Sequence, residues 1–160
     1  MSVLSDARRE IEEWIDGGPA PSFDVQRLSD GFYKLRPNDE IGKIINLSMK
    51  EYGTECSLNW IDVSCMKNLA WLFSRSKFNG DISRWDVSNV NNMNCMFHQS
   101  AFNGDISGWD VSNATTMVQM FWHSSFCQDI SKWNVSRVST HIDIFEGCPI
   151  PDEFKPRFKD

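Results

Sequence analysis

The sequence predicts an α/β repeat protein, a short right-handed solenoid of about four 24-residue coils closed at its N-terminal end by a helix, and three observations predict it. First, FNGDISRWDVSN begins at Phe78, FNGDISGWDVSN at Phe102 and FCQDISKWNVSR at Phe126, a constant step of 24 residues. Second, sliding residues 78–101 onto 102–125 gives fifteen identities: six in FNGDIS, five in WDVSN, Met93 with Met117, Met96-Phe97 with Met120-Phe121, and Ser100 with Ser124. Third, the 7 Trp, 11 Phe and 7 Met of a chain with only 2 Tyr fall mostly into this register. Large apolar residues at fixed steps are the mark of a core built by stacking.

Each coil follows from the register. A degenerate first copy keeps Asp62, Val63, Ser64, Met66, Leu69, Leu72, Phe73 and Phe78 in their columns. In the last copy Val135, Val138, Ile144 and Phe145 hold theirs, while His141 replaces a Met and Cys148 a Ser, the drift expected of a capping repeat. The pattern I-x-x-W-x-V at Ile82, Trp85 and Val87 has leucine-rich-repeat spacing, so the solenoid is leucine-rich-repeat-like. It predicts one strand per coil, over 58–63, 82–87, 106–111 and 130–135, in a parallel sheet with a strand separation of ~4.8 Å. Spacing of three then predicts a helical or 3₁₀ turn through NNMNCMF. The small residues Ser76, Ser100 and Ser124 mark where the coil turns inward.

The flanks complete the array. After Asn38, DEIGKIINLSMKEYG carries acidic residues in its first turn, Ile41, Ile44, Ile45 and Met49 on one face, and Gly53 as a stop, which predicts a helix covering the open end of the stack. Residues 5–16 form a second amphipathic helix candidate, PAPSF a linker, and 23–35 an extended segment. At the far end CPIPDEFKPRFKD breaks the period with three prolines, and Ile150, Phe154 and Phe158 are placed to close the C-terminal face. The domain reading is 1–35 N-terminal helix and linker, 36–56 capping helix, 57–150 four-coil solenoid and 151–160 capping tail.

These residues resemble the BspA-like leucine-rich-repeat proteins, whose repeat reads close to FNxDISxWDVSxVxxMxxMFxxA. The resemblance covers roughly residues 31–158, since YKLRPNDEIGKIINLSMKEYGTECSLNWIDVS is similar to the family's entry helix and first coil and CPIPDEF to its exit. It implies a non-enzymatic module of bacterial, protist, phage or viral origin, usually surface-borne. This chain departs from that pattern in carrying no signal peptide, anchor or long array.

Composition excludes several functions. A formal charge of −6 argues against direct nucleic-acid binding, which needs clustered Lys and Arg. No run approaches the ~20 apolar residues of a membrane span, and MSVLSDARREIEEWIDGG puts charges where a signal peptide needs an apolar stretch. The five cysteines, Cys56, Cys65, Cys95, Cys127 and Cys148, suit neither paired disulfides nor a zinc site, so a reducing cytoplasm is expected.

No catalytic constellation is present, and no metal or cofactor is expected. In GDISG the Ser follows the first Gly by three residues where a nucleophile elbow needs two, and neither G-x-x-x-x-G-K-[ST] nor G-x-G-x-x-G occurs. His98, His123 and His141 fall in different columns without ligand spacing; His123 reads as a surface residue near the turn and His141 as half-buried.

The aspartates carry the remaining signal. Between Phe78 and Ser131 one base, Arg84, stands against Asp81, Asp86, Asp105, Asp110 and Asp129, a net of 1 − 5 = −4. Asp81, Asp105 and Asp129 read as acceptors for backbone N–H groups in turns. Asp62, Asp86 and Asp110 stand between inward strand positions, which predicts that they face solvent on the sheet side. Two functions follow, and the sequence names the partner for neither. One is a non-enzymatic protein-binding module presenting that sheet face, with Trp60, Asp62, Arg84, Asp86, Asp110, Lys132 and Trp122 as contacts on a partner protein. The alternative is a small acidic cytoplasmic inhibitor, phage- or virus-derived, that occupies the basic site of a nucleic-acid enzyme or toxin. Oligomeric state is open.

Overall fold

A computed structural model describes residues 25–27, 33–35 and 41–159. Strands β1 (Val25–Arg27) and β2 (Tyr33–Leu35) pair antiparallel within the expected extended segment, and β2 pairs parallel with β3 (Ile61–Asp62). The helix candidate over 5–16 and the PAPSF linker lie outside the described residues.

Helix α1 spans Ile41–Tyr52. Gly53, at φ +85°, donates its N–H to Met49 O at 3.0 Å and ends the helix in the left-handed conformation that glycine adopts without a Cβ penalty. Ile41 and Ile45 are buried, and Ile44 and Met49 pack at the margin of the core. The expected acidic first turn, Asp39 and Glu40, lies outside the described residues.

The leucine-rich-repeat-like α/β solenoid of four coils does not form. Of the strands expected over 58–63, 82–87, 106–111 and 130–135, only the two residues of β3 exist, and no parallel sheet runs through the repeats. The cause is local. The spacing of three from Ile82 to Trp85 closes a turn, Trp85 N–H to Ile82 O at 3.1 Å, and Trp109 to Ile106 and Trp133 to Ile130 do the same. An aspartate, or Asn134 in the last repeat, follows each of these turns and closes another, Asp86 Oδ1 accepting the Ser88 N–H at 3.0 Å. A chain that bends every three residues has no period-2 face to present to a sheet.

What forms instead is a stack of turns. In residues 69–76, the N–H groups of Leu72, Ser74 and Ser76 bond back three residues, to Leu69, Trp71 and Phe73. The intervening N–H groups of Leu69, Trp71, Phe73 and Arg75 leave the repeat and bond the carbonyls of Asn92, Asn94, Met96 and His98 at 2.8–3.0 Å. Residues 93–100 and 117–124 repeat this alternation, and single parallel bridges join Asn68, Asn92, Thr116 and Thr140. Backbone polar groups along the stacked edges are therefore paired without a strand.

The core is a set of aromatic ladders. Phe73, Phe97, Phe121 and Phe145 stack at centroid distances of 5.5, 5.5 and 5.7 Å, and Phe78, Phe102 and Phe126 at 6.1 and 6.3 Å. The two ladders touch, Phe97 against Phe102 at 4.4 Å and Phe121 against Phe126 at 4.3 Å. Trp85, Trp109 and Trp133 each donate the indole N–H to a carbonyl of the preceding repeat, Leu58, Ile82 and Ile106, at 2.9–3.1 Å. That bond explains why Trp, and not Phe, holds this column. Ser76, Ser100 and Ser124 cap their turns, each Oγ accepting the N–H two residues on, from Phe78, Phe102 and Phe126.

At the C-terminal end Ile150 is buried, Phe154 O accepts the Ile130 N–H, Phe158 stacks on His141 at 4.1 Å, and Lys155 lies over the Phe145 ring.

Candidate protein-binding surface

Two surfaces of the stack carry side chains that the core does not use. The first holds most of the residues singled out from the sequence. Asp62, Asp86 and Asp110, with Asn134, each accept the N–H of the serine two residues on at 2.8–3.2 Å. Asp81, Asp105 and Asp129 do the same with Ser83, Ser107 and Ser131 at 2.9 Å. Both columns are therefore turn formers, and the first is not the outward line of a sheet. The bonds have an electrostatic consequence. Donation from the Ser83, Ser107 and Ser131 N–H groups holds the carboxyls of Asp81, Asp105 and Asp129 below the ordinary aspartate range, and the Ser112 hydroxyl and N–H do so for Asp110. Asp86, Asp105, Asp110 and Asp129 stay exposed.

Trp60 is half-buried against the core and Arg84 is exposed, its backbone N–H donated to Asn59 Oδ1. Lys132 is exposed beside Asp105, Gly108 and Asp129 in a shallow cleft of about 340 Å³. Trp122 belongs to the second surface.

The second surface is the outer side of the turn ladder, where two columns have positive φ in every repeat. Trp71, Cys95, Gln119 and Asp143 stand at φ 66°, 55°, 51° and 53°, and Arg75, Gln99, His123 and Gly147 at 57°, 53°, 49° and 67°. For L-residues this region costs roughly 1–2 kcal/mol. Eight residues of seven kinds adopt it at a fixed step, so the frame imposes the conformation and the side chain does not. Phe, Met and Ser columns point inward, leaving columns 70, 71, 74 and 75 and their successors to vary.

The variable columns gather aromatic rings. His98 stacks on Trp122 at 4.7 Å and 11°, and it meets Trp71 at 5.7 Å, while Trp122 touches the edge of His123 at 4.0 Å. His98 is buried, and its Nδ1 has no hydrogen-bond partner among the described residues. Desolvation, reinforced by the Arg75 charge, holds its pKa below the ordinary histidine value, and the ring serves as a stacking element. A Cβ on Gly147 would stand 2.4 Å from His123 Nδ1, so the last repeat needs glycine there. Trp71 is 59% and Ile142 65% exposed, both on this surface. Sequence reasoning chose Trp122 here, left Trp71 available to a partner as an off-column tryptophan, read His123 only as a surface residue, and missed His98 and Ile142. The available signal was that Trp71 and Trp122 stood outside the core columns.

Among the described residues, no group of three or more His, Cys, Asp or Glu is placed to hold a metal ion, and no helix is long and apolar enough to cross a membrane. All five cysteines are free thiols.

A family model described as "Mycoplasma protein of unknown function, DUF285" matches residues 47–155. No curated protein and no solved structure matches.

Proposed function

The chain belongs to the DUF285 family, and we propose that it is a non-enzymatic protein-binding module which engages its partner through the outer side of the turn ladder. One observation carries this reading: the frame fixes the backbone of two columns per repeat at positive φ whatever the residue, so the surface varies while the scaffold does not. Tryptophan is the residue most enriched at interface hot spots, and Trp122 with exposed Ile142 supplies apolar anchors on a rigid base. The resemblance to BspA-like repeats supports a recognition role. The free thiols fit a reducing compartment, the cytoplasm.

The test is retrieval of a partner on immobilised protein, comparing Trp122→Ala with Ile142→Ser against Asp86→Lys with Asp110→Lys. Loss of the partner with the first pair and its retention with the second supports the ladder surface. The reverse result transfers the site to the acidic columns. The exposed Asp86, Asp105, Asp110 and Asp129 favour a second reading, an acidic inhibitor that covers a basic enzyme site. That reading requires affinity that falls steeply with added salt.

A further inference from the structure

The first repeat lacks a neighbour that every later repeat has. The carbonyls of Asn94, Met96 and His98 accept N–H groups from the repeat before, as do Val118, Met120 and Trp122, and then Ile142, Ile144 and Glu146. The equivalent carbonyls of the first repeat belong to Ala70, Leu72 and Ser74, and no donor among the described residues reaches them. Helix α1 stands one step of 24 residues before this segment, where the preceding ladder would run, and its N–H groups are spent inside the helix. Between α1 and residues 71–77 lies an open groove of about 640 Å³.

The groove has a distinct chemistry. Its lining includes Met49 and Leu72 as apolar floor, exposed Trp71 at the rim, and three cations, Lys50, Arg75 and Lys77, with no carboxylate among the described residues. The whole chain holds 22 acidic against 16 basic residues, so this is a local reversal of sign. Glu55, farther along, is turned to Asn79 Nδ2 at 3.2 Å.

We propose that this groove binds an acidic peptide segment of another protein, which takes the turned path of the later repeats and adds itself to the ladder as the missing neighbour. Alternate peptide N–H groups donate to the carbonyls of Ala70, Leu72 and Ser74, at the 2.7–3.0 Å seen at the equivalent carbonyls. Carboxylate side chains meet Lys50, Arg75 and Lys77, and an apolar or aromatic side chain lies over Leu72 and against Trp71. Three acceptors at every second residue define a peptide of about five residues, the span from the Trp71 N–H to the Arg75 N–H that serves the next repeat. The proposal rests on the protein-binding reading and gives the partner a chemical class.

The experiment uses the full chain and a fluorescein-labelled peptide Glu-Phe-Glu-Leu-Glu, followed by fluorescence anisotropy. Three comparisons accompany it: the Lys-Phe-Lys-Leu-Lys peptide, peptides N-methylated on alternate amides in each of the two registers, and the exposed double substitution Lys50→Glu with Lys77→Glu. Expected are saturable binding of the acidic peptide, no binding of the basic one, a loss of about tenfold or more for one N-methylated register only, and a similar loss in the double variant. Equal binding of both charge types, indifference to N-methylation in both registers, or absence of binding overturns the proposal. So does acidic-peptide affinity that falls as protein concentration rises, which identifies a second copy as the occupant. Trp122 and Ile142 do not line the groove. A partner lost on their substitution by a protein that ignores the peptide therefore refutes this inference and leaves the binding reading standing.

Discussion

Replacing Trp109 by Phe separates the indole hydrogen bond from the aromatic packing that surrounds it. Trp109 is 4% exposed, stacks on Trp133 at 6.5 Å and donates its N–H to Ile82 O at 3.1 Å. The Ile82 carbonyl also accepts the Trp85 N–H, so removing the indole leaves it with one partner and not bare. The lost bond is then worth about 0.5–1.5 kcal/mol, the ordinary net value, and not the larger penalty of an orphaned group. Phenyl also has two ring carbons fewer than indole, which at about 0.8 kcal/mol per buried carbon adds about 1.6 kcal/mol. The sum is about 2–3 kcal/mol. For a chain of this size 1 kcal/mol moves Tm by roughly 2–4 °C, so the expected drop is about 4–12 °C. Urea unfolding followed by tryptophan fluorescence and a thermal scan by circular dichroism measure it, with exposed Trp71→Phe as the control expected within about 0.5 kcal/mol of wild type. A Trp109→Phe protein as stable as that control would refute the view that indole bonds tie successive repeats together.

Two further expectations concern the backbone and the carboxylates. A Cβ at Gly80 would stand 1.9 Å from Cys56 O, so Gly80→Ala should cost about 3 kcal/mol in urea unfolding, the upper range for overpacking, whereas Gly108→Ala, with open space around its Cβ, should be neutral. Asp105→Asn keeps an Oδ1 acceptor but removes the charge that the Ser107 bonds favour over the repulsion from Asp81, so it should lose part of the turn's contribution at neutral pH, while Asp105→Ala should lose about 0.5–1 kcal/mol with the whole turn bond to Ser107. The folded-state pKa values of Asp81, Asp105 and Asp110 are depressed, so their contribution is present above the unfolded aspartate value of about 3.9 and is lost as pH falls through the lower folded values. Acid titration of Asp105→Asn should therefore show a shallower loss than wild type over that range.

The period of 24, the inward Phe, Trp and Met columns and the helix ending at Gly53 were legible because identity between copies reports side-chain environment directly. The strands were misread because I-x-x-W-x-V fits two backbones. Spacing of three followed by two suits a leucine-rich strand, but it also suits a turn closed at Trp85 and followed by an Asp86 turn, and hydrogen bonding decides for the second. The same choice explains the fate of Asp62, Asp86 and Asp110. A sheet would have aimed them at a partner, whereas a D-V-S turn employs one carboxylate oxygen of each within the chain. Trp122 was found as an off-column aromatic. Its companion His98 was hidden because its column reads Ser74, His98, Trp122, Glu146, with no chemical identity to detect, and only stacking at 4.7 Å joins the pair.

The positive-φ columns set an alphabet for the surface they display. Trp, Cys, Gln, Asp, Arg, His and Gly occupy the eight positions at 71, 95, 119, 143, 75, 99, 123 and 147, and none is branched at Cβ. Branching there brings a second heavy atom against the following peptide unit, a steric conflict that the left-handed region punishes most. The ladder can therefore be re-lettered at six of these eight sites with any unbranched side chain at little change in folding energy, and a seventh, Cys95, is buried. The eighth, Gly147, is closed by the His123 ring. Val, Ile and Thr are excluded as a class, so diversification of this surface proceeds through aromatic, amide, charged and thiol groups, the vocabulary of recognition more than of core packing.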